Sequence, residues 1–452
     1  MEAGGTHRPD QDQDGAGGGG IRAALAGLTT RGRSFLAAGI AAAVCAYVLG
    51  QGDLLRVGLL LGVLPPACAA VLHRTRHRVA GGRRLSPARV PAAGEARVHL
   101  RVENVSRLPT GLLMLQDRVP YVLGPRPRFV LDRVEPGGSR EVSYRVRSDL
   151  RGRYPLGPLQ LRLTDPFGMC ELTRSFSAED TLTVVPRVEA LPPVRLSGDS
   201  RGRGDGLRRA LALAGDDDVI PRGYRHGDDL RRVHWRSTAR HGELMVRREE
   251  QPRRARCTVL LDTRRTAFEG AGPDSAFEWA VAGAASVLAH MLERGFSVRL
   301  LTDTGATVPG EGADGFASGG GADTAGLLMD TLAVVGHSGR TGLSRVHDVL
   351  RGGSGGLLVA FFGDLDEEQA AVAATLRHRG GEAVAFVLDV AEWRGDAAPD
   401  TAAAGGREPL RRLREAGWTV VGVPRGAALA ELWRRADRER DGLAPAAGED
   451  GR

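Results

Sequence analysis

Lysine is absent from all 452 residues, so every side-chain cation other than histidine is an arginine. A phosphate loop of the Gly-x-x-x-x-Gly-Lys-[Ser/Thr] kind is therefore excluded. The run Gly319-Gly320-Gly321 does not follow a strand and open a helix, so it reads as a surface loop. Cysteine is scarce, with Cys45, Cys68, Cys170 and Cys257 and no Cys-x-x-Cys pair. That argues against a zinc ribbon and a disulfide framework, and it suits a reducing compartment for the soluble part. Aromatic residues make up 5% of the chain, and the net charge of +7 is spread along it. With no stacked rings on alternating strand positions, no nucleic-acid partner is expected. His226, His234 and His241 are spaced by eight and seven with no acid to complete a ligand set, so no metal is expected there.

What is present begins with two apolar runs. Residues 1–30 open rich in Gly, Asp and Gln and are expected to be a disordered leader. Ser34 to Gly50 then carries no charge, and Leu54 to Leu72 carries only Arg56. At 1.5 Å per residue these runs reach about 26–29 Å, enough to cross a thin bilayer. Gln51-Gly52-Asp53 leaves room only for a tight link, so residues 31–74 are expected to form a transmembrane hairpin. Gly58 and Gly62 would let its helices approach closely, and Pro65-Pro66 should kink the second. Arg31 and Arg33 precede the first run, and Arg74, Arg76, Arg78, Arg83 and Arg84 follow the second. The expectation is a two-pass protein of the cell membrane with both termini and the soluble domains cytoplasmic.

From Ser86 onward apolar residues recur at every second position, as in Val98, Leu100 and Val102. Glu141–Val146, Leu159–Leu163 and Thr181–Val185 repeat the pattern, and Pro and Gly punctuate it. Residues 86–190 are expected to form a small antiparallel β-sandwich with turns at Gly152–Pro158 and Asp165–Gly168. Residues 191–218, rich in Arg, Gly and Asp, read as a linker.

Residues 219–256 are the most distinctive segment. Gly227 supplies a turn, Asp228 or Asp229 can cap a following helix, and Leu230 and Val233 can face a core. Trp235 and Ala239 share a helical face, and Gly242 suits a C-cap. Arg222 and Tyr224, then Gly227, Asp228 and Arg231, then Trp235, Ala239 and Arg240 follow one another closely. That order resembles the signature of the domain-of-unknown-function-58 family. Gly152–Pro158 and Asp165-Pro166-Phe167-Gly168 resemble segments that recur upstream of it. The signature is expected to brace one domain against the next through a buried Trp235 and to offer Arg240 to a partner.

After the signature, short apolar strands alternate with helices. Strands are expected at Leu244–Arg247, Cys257–Leu261, Val298–Leu301, Leu357–Phe362, Val384–Leu388 and Thr419–Val423. Ser275 and Glu278 form a capping box for a helix that stops before Gly295. Glu367–Arg379 and Ala427–Arg440 read as further helices. The pattern predicts a doubly wound, parallel α/β domain over 257–440 and a disordered tail over 441–452. This arrangement resembles a von Willebrand factor A domain. Its metal-ion adhesion site uses Asp-x-Ser-x-Ser after the first strand, together with other Thr and Asp residues. The matching run here is Asp262-Thr263-Arg264-Arg265-Thr266, with an arginine in place of the first serine. Asp262, Thr266 and Asp364 are thus a degenerate metal set, and no cofactor is expected.

The resemblance implies a membrane-anchored scaffold working with a MoxR-type AAA+ ATPase and an unknown client in assembly or maturation of envelope or protein complexes. A metal-dependent hydrolase using Asp262 and Asp364 is the alternative. An anion-binding module through the arginine-rich signature is a third reading.

Overall fold

A computed structural model describes residues 27–76, 79–107, 109–165, 167–194, 221–224, 233, 235–247, 255–309, 322–351, 356–377, 381–394 and 407–443. The chain divides into two units, Met1–Val185 and Pro186–Arg452. The leader, the tail and residues 195–218 lie outside the described residues.

The first unit opens with two helices, α1 (Thr30–Leu49) and α2 (Gly52–Arg76), each long and apolar enough to cross a membrane. Small residues set their spacing. A Cβ on Gly39 would collide with the Gly62 backbone, and one on Gly58 would come within 2.7 Å of the Ala43 nitrogen. The close approach expected from Gly58 and Gly62 is present, and Gly39 supplies its other half. Helix α2 continues through Pro65 and Pro66 to Arg76.

Among the described residues ten strands follow: β1 (Val79–Ser86), β2 (Arg89–Pro91), β3 (Glu95–Asn104), β4 (Leu113–Asp117), β5 (Arg128–Leu131), β6 (Ser139–Arg147), β7 (Gly152–Leu156), β8 (Leu159–Thr164), β9 (Glu171–Phe176) and β10 (Asp180–Val185). They form sheets in the orders β1-β3-β6, β5-β4-β8-β9 and β2-β10-β7. Alternate residues such as Val98, Leu100 and Val102 on β3 and Leu159, Leu161 and Leu163 on β8 enter one buried core. The expected antiparallel pairing holds except between β2 and β10, which run parallel. Gly152–Leu156, expected as a turn, is a strand, because it pairs with Asp180–Val184.

Strand β1 starts at Val79, ahead of the expected boundary at Ser86. Gly81 lies against the Phe176 ring, where a side chain would not fit. Arg83, expected as a free flanking cation, is buried and pairs with Asp117 at 2.7 Å. Its guanidinium also donates to the Leu156 carbonyl at 2.6 Å and to Asp180 at 3.3 Å. Tyr144 donates to the second Asp117 oxygen at 2.6 Å. Burial and the neighbouring Asp117 carboxylate push the Tyr144 phenol above its usual range. With both charges met by several partners, the network fixes the sheets together.

In the second unit, β11 (Pro221–Gly223), α3 (Trp235–His241) and β12 (Met245–Arg247) belong to the signature. A six-stranded sheet follows. Its elements are β13 (Arg256–Leu261), α4 (Ala276–Glu293), β14 (Ser297–Thr302), β15 (Thr307–Val308), α5 (Ala322–Val334), α6 (Ser344–Arg351) and β16 (Leu357–Phe362). Then come α7 (Glu367–Thr375), β17 (Ala383–Leu388), α8 (Val390–Arg394), α9 (Arg407–Glu415), β18 (Thr419–Val423) and α10 (Leu429–Leu443). The strand order is β15-β14-β13-β16-β17-β18. All neighbours are parallel except β14 and β15. The sheet is thus mixed, with one antiparallel edge strand.

Both faces of the sheet are covered. Val359 and Phe361 of β16 pack with α4, α5 and α10 residues, while Ala360 and Phe362 pack with α6, α7 and α9 residues. Burial on both sides explains why these strands read as continuous apolar runs. Ser275 caps α4 by accepting from the Glu278 nitrogen at 3.4 Å, and Gly295 with φ of 80° ends the turn beyond it. The unit begins earlier than residue 257. Leu191 and Val194, expected in a linker, are buried in the sheet's core. The Glu189 carboxylate accepts from the Leu429 and Ala430 nitrogens at 3.1 and 3.0 Å, so it caps α10 from the far end of the unit.

Candidate functional site

The strand order changes direction between β13 and β16. Ligands in open α/β sheets bind outside the carboxyl ends of the strands at such a point. Aspartates leave the strands there: Asp262 follows β13, Asp303 follows β14, and Asp364 lies just past β16. Asp262, Thr263, Arg264 and Asp303 are buried, although they sit at strand ends where solvent would normally enter.

Arg264 folds back on Asp262. Its Nε donates to one carboxylate oxygen at 2.9 Å and its Nη2 to the other at 2.8 Å. The Arg264 backbone nitrogen reaches the first oxygen at 3.1 Å. The same Nη2 donates to the Asp364 carbonyl at 3.2 Å, and Nη1 lies 3.5 Å from the Thr341 carbonyl. A planar guanidinium suits this two-pronged grip on a carboxylate. Burial is the largest influence on Asp262 and raises its pKa; the Arg264 guanidinium opposes it, and Asp303 adds to the rise.

Asp303 is held separately. The Thr263 hydroxyl and its backbone nitrogen donate to one oxygen, the latter at 2.8 Å. The Ser338 hydroxyl donates to the other at 2.6 Å. The Ser338 nitrogen in turn donates to the Thr263 carbonyl at 2.6 Å, and the Arg265 nitrogen to the Ser338 carbonyl at 3.1 Å. The loop at 338–341 is thereby fastened beside 263–265.

This geometry revises the degenerate metal set. Asp262 is present at the site, but both its oxygens are engaged by Arg264. Asp364 meets Arg264 through its main-chain carbonyl, while its side chain is exposed. Thr266 is also exposed, on a short 3-10 turn over Arg265–Ala267. Asp262 and Asp364 therefore do not converge as the carboxylate pair that the hydrolase alternative requires. Among the described residues no cluster of three His, Cys, Asp or Glu could hold a metal ion. Asp303, Thr263 and Ser338 were not expected as site residues. The available signal was an acid immediately after an apolar strand, the same signal that marked Asp262.

The signature forms a second locus. Strand β11 pairs with β12 so that Arg222 lies opposite Val246, and the Tyr224 nitrogen donates to the Leu244 carbonyl at 2.8 Å. Helix α3 lies between them in sequence. Its Thr238 hydroxyl accepts from the Met245 nitrogen at 3.0 Å, and Gly242 ends it with φ of 75°. Val233 is buried as expected. Trp235 is not: 71% of it is exposed, and Ala239 and Arg240 on the same helix are exposed too. The expected brace through a buried indole is corrected accordingly. A helix of seven residues shows one side to the protein, and that side carries Thr238. Gly227, Asp228 and Arg231, and the Arg222 side chain, lie outside the described residues.

Comparison with known proteins points to the same segment. Residues 221–318 match the family model for protein of unknown function DUF58. The uncharacterized protein YeaD of Bacillus subtilis is 26% identical over 160 residues, which is 35% of this chain and 37% of that protein. The match thus spans about a third of this relative's length. Solved structures with partial likeness include the CARDB domain of the PF1109 protein from Pyrococcus furiosus, at 10% identity and a TM-score of 0.18, over 24% of this chain and 87% of that one. The putative ApaA protein from Bordetella pertussis matches at 13% identity and a TM-score of 0.19, over 24% and 91%. At these scores neither bears on function. The signature residues fall inside the matched segment, so the DUF58 likeness of this chain is carried by residues 221–318.

Proposed function

We propose that this protein is a membrane-anchored docking protein whose α/β unit is von Willebrand factor A-like and engages a MoxR-type AAA+ ATPase. The observation that carries the docking reading is the exposed Trp235, set beside Ala239 and Arg240 on α3 within the family segment. Tryptophan and arginine dominate the energetic centres of protein interfaces, and an indole left in water favours a covering partner. The fold reading is supported by the strand order, by the antiparallel edge strand β15 and by acids at the strand ends. In the metal-dependent form of that fold a cation would sit beside Asp262. Here the Arg264 guanidinium supplies the positive charge from within the chain. Docking would then need no divalent ion.

The ATPase is the partner implied by the family resemblance, and the β-rich unit is proposed to meet a client or envelope component. Both termini are proposed to be cytoplasmic. Arg31 and Arg33 precede the first apolar run, Arg74, Arg76 and Arg78 lie at or after the end of α2, and the link between the helices has no arginine. The test is capture of the purified ATPase by the full chain in bilayer nanodiscs. Trp235→Ala should weaken capture by about 30-fold, the size of a hot-spot loss. Arg240→Ala should weaken it as well. Wild-type affinity in both variants would refute the assignment.

A further inference from the structure

We infer that the helix-proximal end of the β-rich unit is a lipid-binding foot that seats on an anionic phospholipid surface. Val105, Leu112 and Phe167 enter the interface, and Arg31, Arg33 and Arg107 meet headgroup phosphates. The inference rests on the membrane-anchored reading of α1 and α2 and goes beyond it.

Three connections place this end of the unit at the helices. Helix α2 ends at Arg76, and Val79 at the start of β1 pairs with Asn104, so the loop at 105–112 begins where the chain leaves the helix. The Thr164 nitrogen donates to the Leu112 carbonyl at 3.3 Å, which sets Leu112 beside the turn at 165–168. That turn is bonded to the start of α1. The Thr29 hydroxyl donates to the Gly168 carbonyl at 2.7 Å, the Thr29 nitrogen donates to the Met169 carbonyl at 2.9 Å, and Gly32 leaves no space between the helix and Met169.

The depth of the turn decides the case. The Cys170 thiol lies 3.6 Å from the Pro65 carbonyl. Pro65 is eleven residues before Arg76, about 16 Å back along the helix. The turn therefore lies alongside the apolar run rather than beyond its end. From this level on, one side of the helix, with Cys68, Ala69 and Leu72, is buried in the β-rich core while Ala67, Ala70 and Val71 stay exposed; Leu59, Leu60 and Val63 before it are exposed. The second helix thus packs one side on the β-rich core from Pro65 onward, and the bilayer surface falls at the turn, level with the start of α1.

Apolar side chains are exposed at that level. Val105 is 65%, Leu112 50% and Phe167 60% exposed, from two neighbouring loops. In water such a group is a liability; at a bilayer surface it inserts. Arg31, Arg33 and Arg107 are exposed around it, with an Arg31 guanidinium nitrogen 3.8 Å from the position of a Cβ on Gly168. The adjoining loop adds Arg133 and Glu135, which pair at 3.1 Å, and one further acid, Asp132. The surroundings stay basic, which fits anionic headgroups.

The test uses the full chain in nanodiscs, with Cys45→Ser removing the exposed native thiol; Cys68, Cys170 and Cys257 are buried. Spin labels are placed at Phe167→Cys, at Leu112→Cys and at Tyr121→Cys, the last exposed beyond the opposite end of β4. Collisions with oxygen and with a water-soluble nickel chelate are measured in phosphatidylglycerol-containing and in pure phosphatidylcholine discs. The expected result is loss of nickel collisions at 167 and 112 but not at 121, strongest with phosphatidylglycerol and reduced by Arg107→Gln. Labels at 167 and 112 as open to nickel as the one at 121 would overturn the foot. Equal protection in both lipids would overturn its anionic specificity. Release of the chain by carbonate would instead sink the membrane-anchored reading beneath it.

Discussion

Arg264→Ser would introduce a hydroxyl where the proposed von Willebrand factor A-like reading puts one in the metal-dependent form, and would remove the internal cation. Asp262 would then be a buried carboxylate without its partner, two bonds poorer and still beside Asp303. Breaking a buried pair from one side costs about 3–5 kcal/mol. For a unit of this size that lowers the melting temperature by roughly 6–20 °C. Part of the loss should be recoverable by Mg²⁺ in the variant alone. The Asp262 and Asp303 carboxylates, the introduced serine hydroxyl and the Asp364 carbonyl are oxygen donors of the kind such an ion takes. At one hundred times its Kd the ion would return about 2.7 kcal/mol. The assay is thermal denaturation of the full chain in detergent, with EDTA and with a Mg²⁺ titration. The wild type should melt at one temperature in both. An equal Mg²⁺ response in wild type and variant, or a variant as stable as wild type without metal, would show that Arg264 does not stand in for a cation at Asp262.

Trp235→Ala should change the melting temperature by less than about 2 °C, because the exposed ring gives up little packing; a large drop would mean that the ring is covered. Asp117→Ala should cost about 3–5 kcal/mol by stranding Arg83 in the β-rich core, whereas Tyr144→Phe should cost about 1.5–3 kcal/mol for one bond to a charged acceptor. Chemical denaturation of the two variants would expose the difference. His290 is buried against Trp433, and burial lowers its pKa from the usual 6.5. The unfolded chain then takes up the proton first, so the contribution of His290 is full above pH 6.5 and lost as the pH falls below it. Melting of the α/β unit between about pH 7.5 and 5.5 should therefore be less acid-sensitive in His290→Leu than in wild type.

Much of the fold was legible because its signals are local. Leu357–Phe362 and Thr419–Val423 form strands with the bounds read from the sequence, since a strand buried on both faces is a plain apolar run. The same holds for the two apolar helices and for Ser275. What escaped depends on distant partners. Nothing near Arg83 announces Asp117, 34 residues away, so β1 read as a basic flank. Glu189 reads as the end of the β-sandwich until α10, 240 residues on, supplies its partners, and Leu191 as linker until the sheet core encloses it. At the candidate site the sequence revealed Asp262 and the intruding Arg264, but not that Arg264 would grip both oxygens or that Ser338 would fasten Asp303. The exposure of Trp235 escaped for a related reason. Spacing puts Trp235 and Ala239 on one face, yet a seven-residue helix does not say which face turns outward.

The protein is proposed to be a membrane-anchored docking protein whose cation, Arg264, is built in. The most direct test is the affinity of the nanodisc-held full chain for a MoxR-type ATPase from the same genome, measured without nucleotide in EDTA and again in Mg²⁺. Binding of equal strength is expected in both, weakened about 30-fold in Trp235→Ala. Absence of binding, or binding that appears only with the divalent ion, would contradict the proposal.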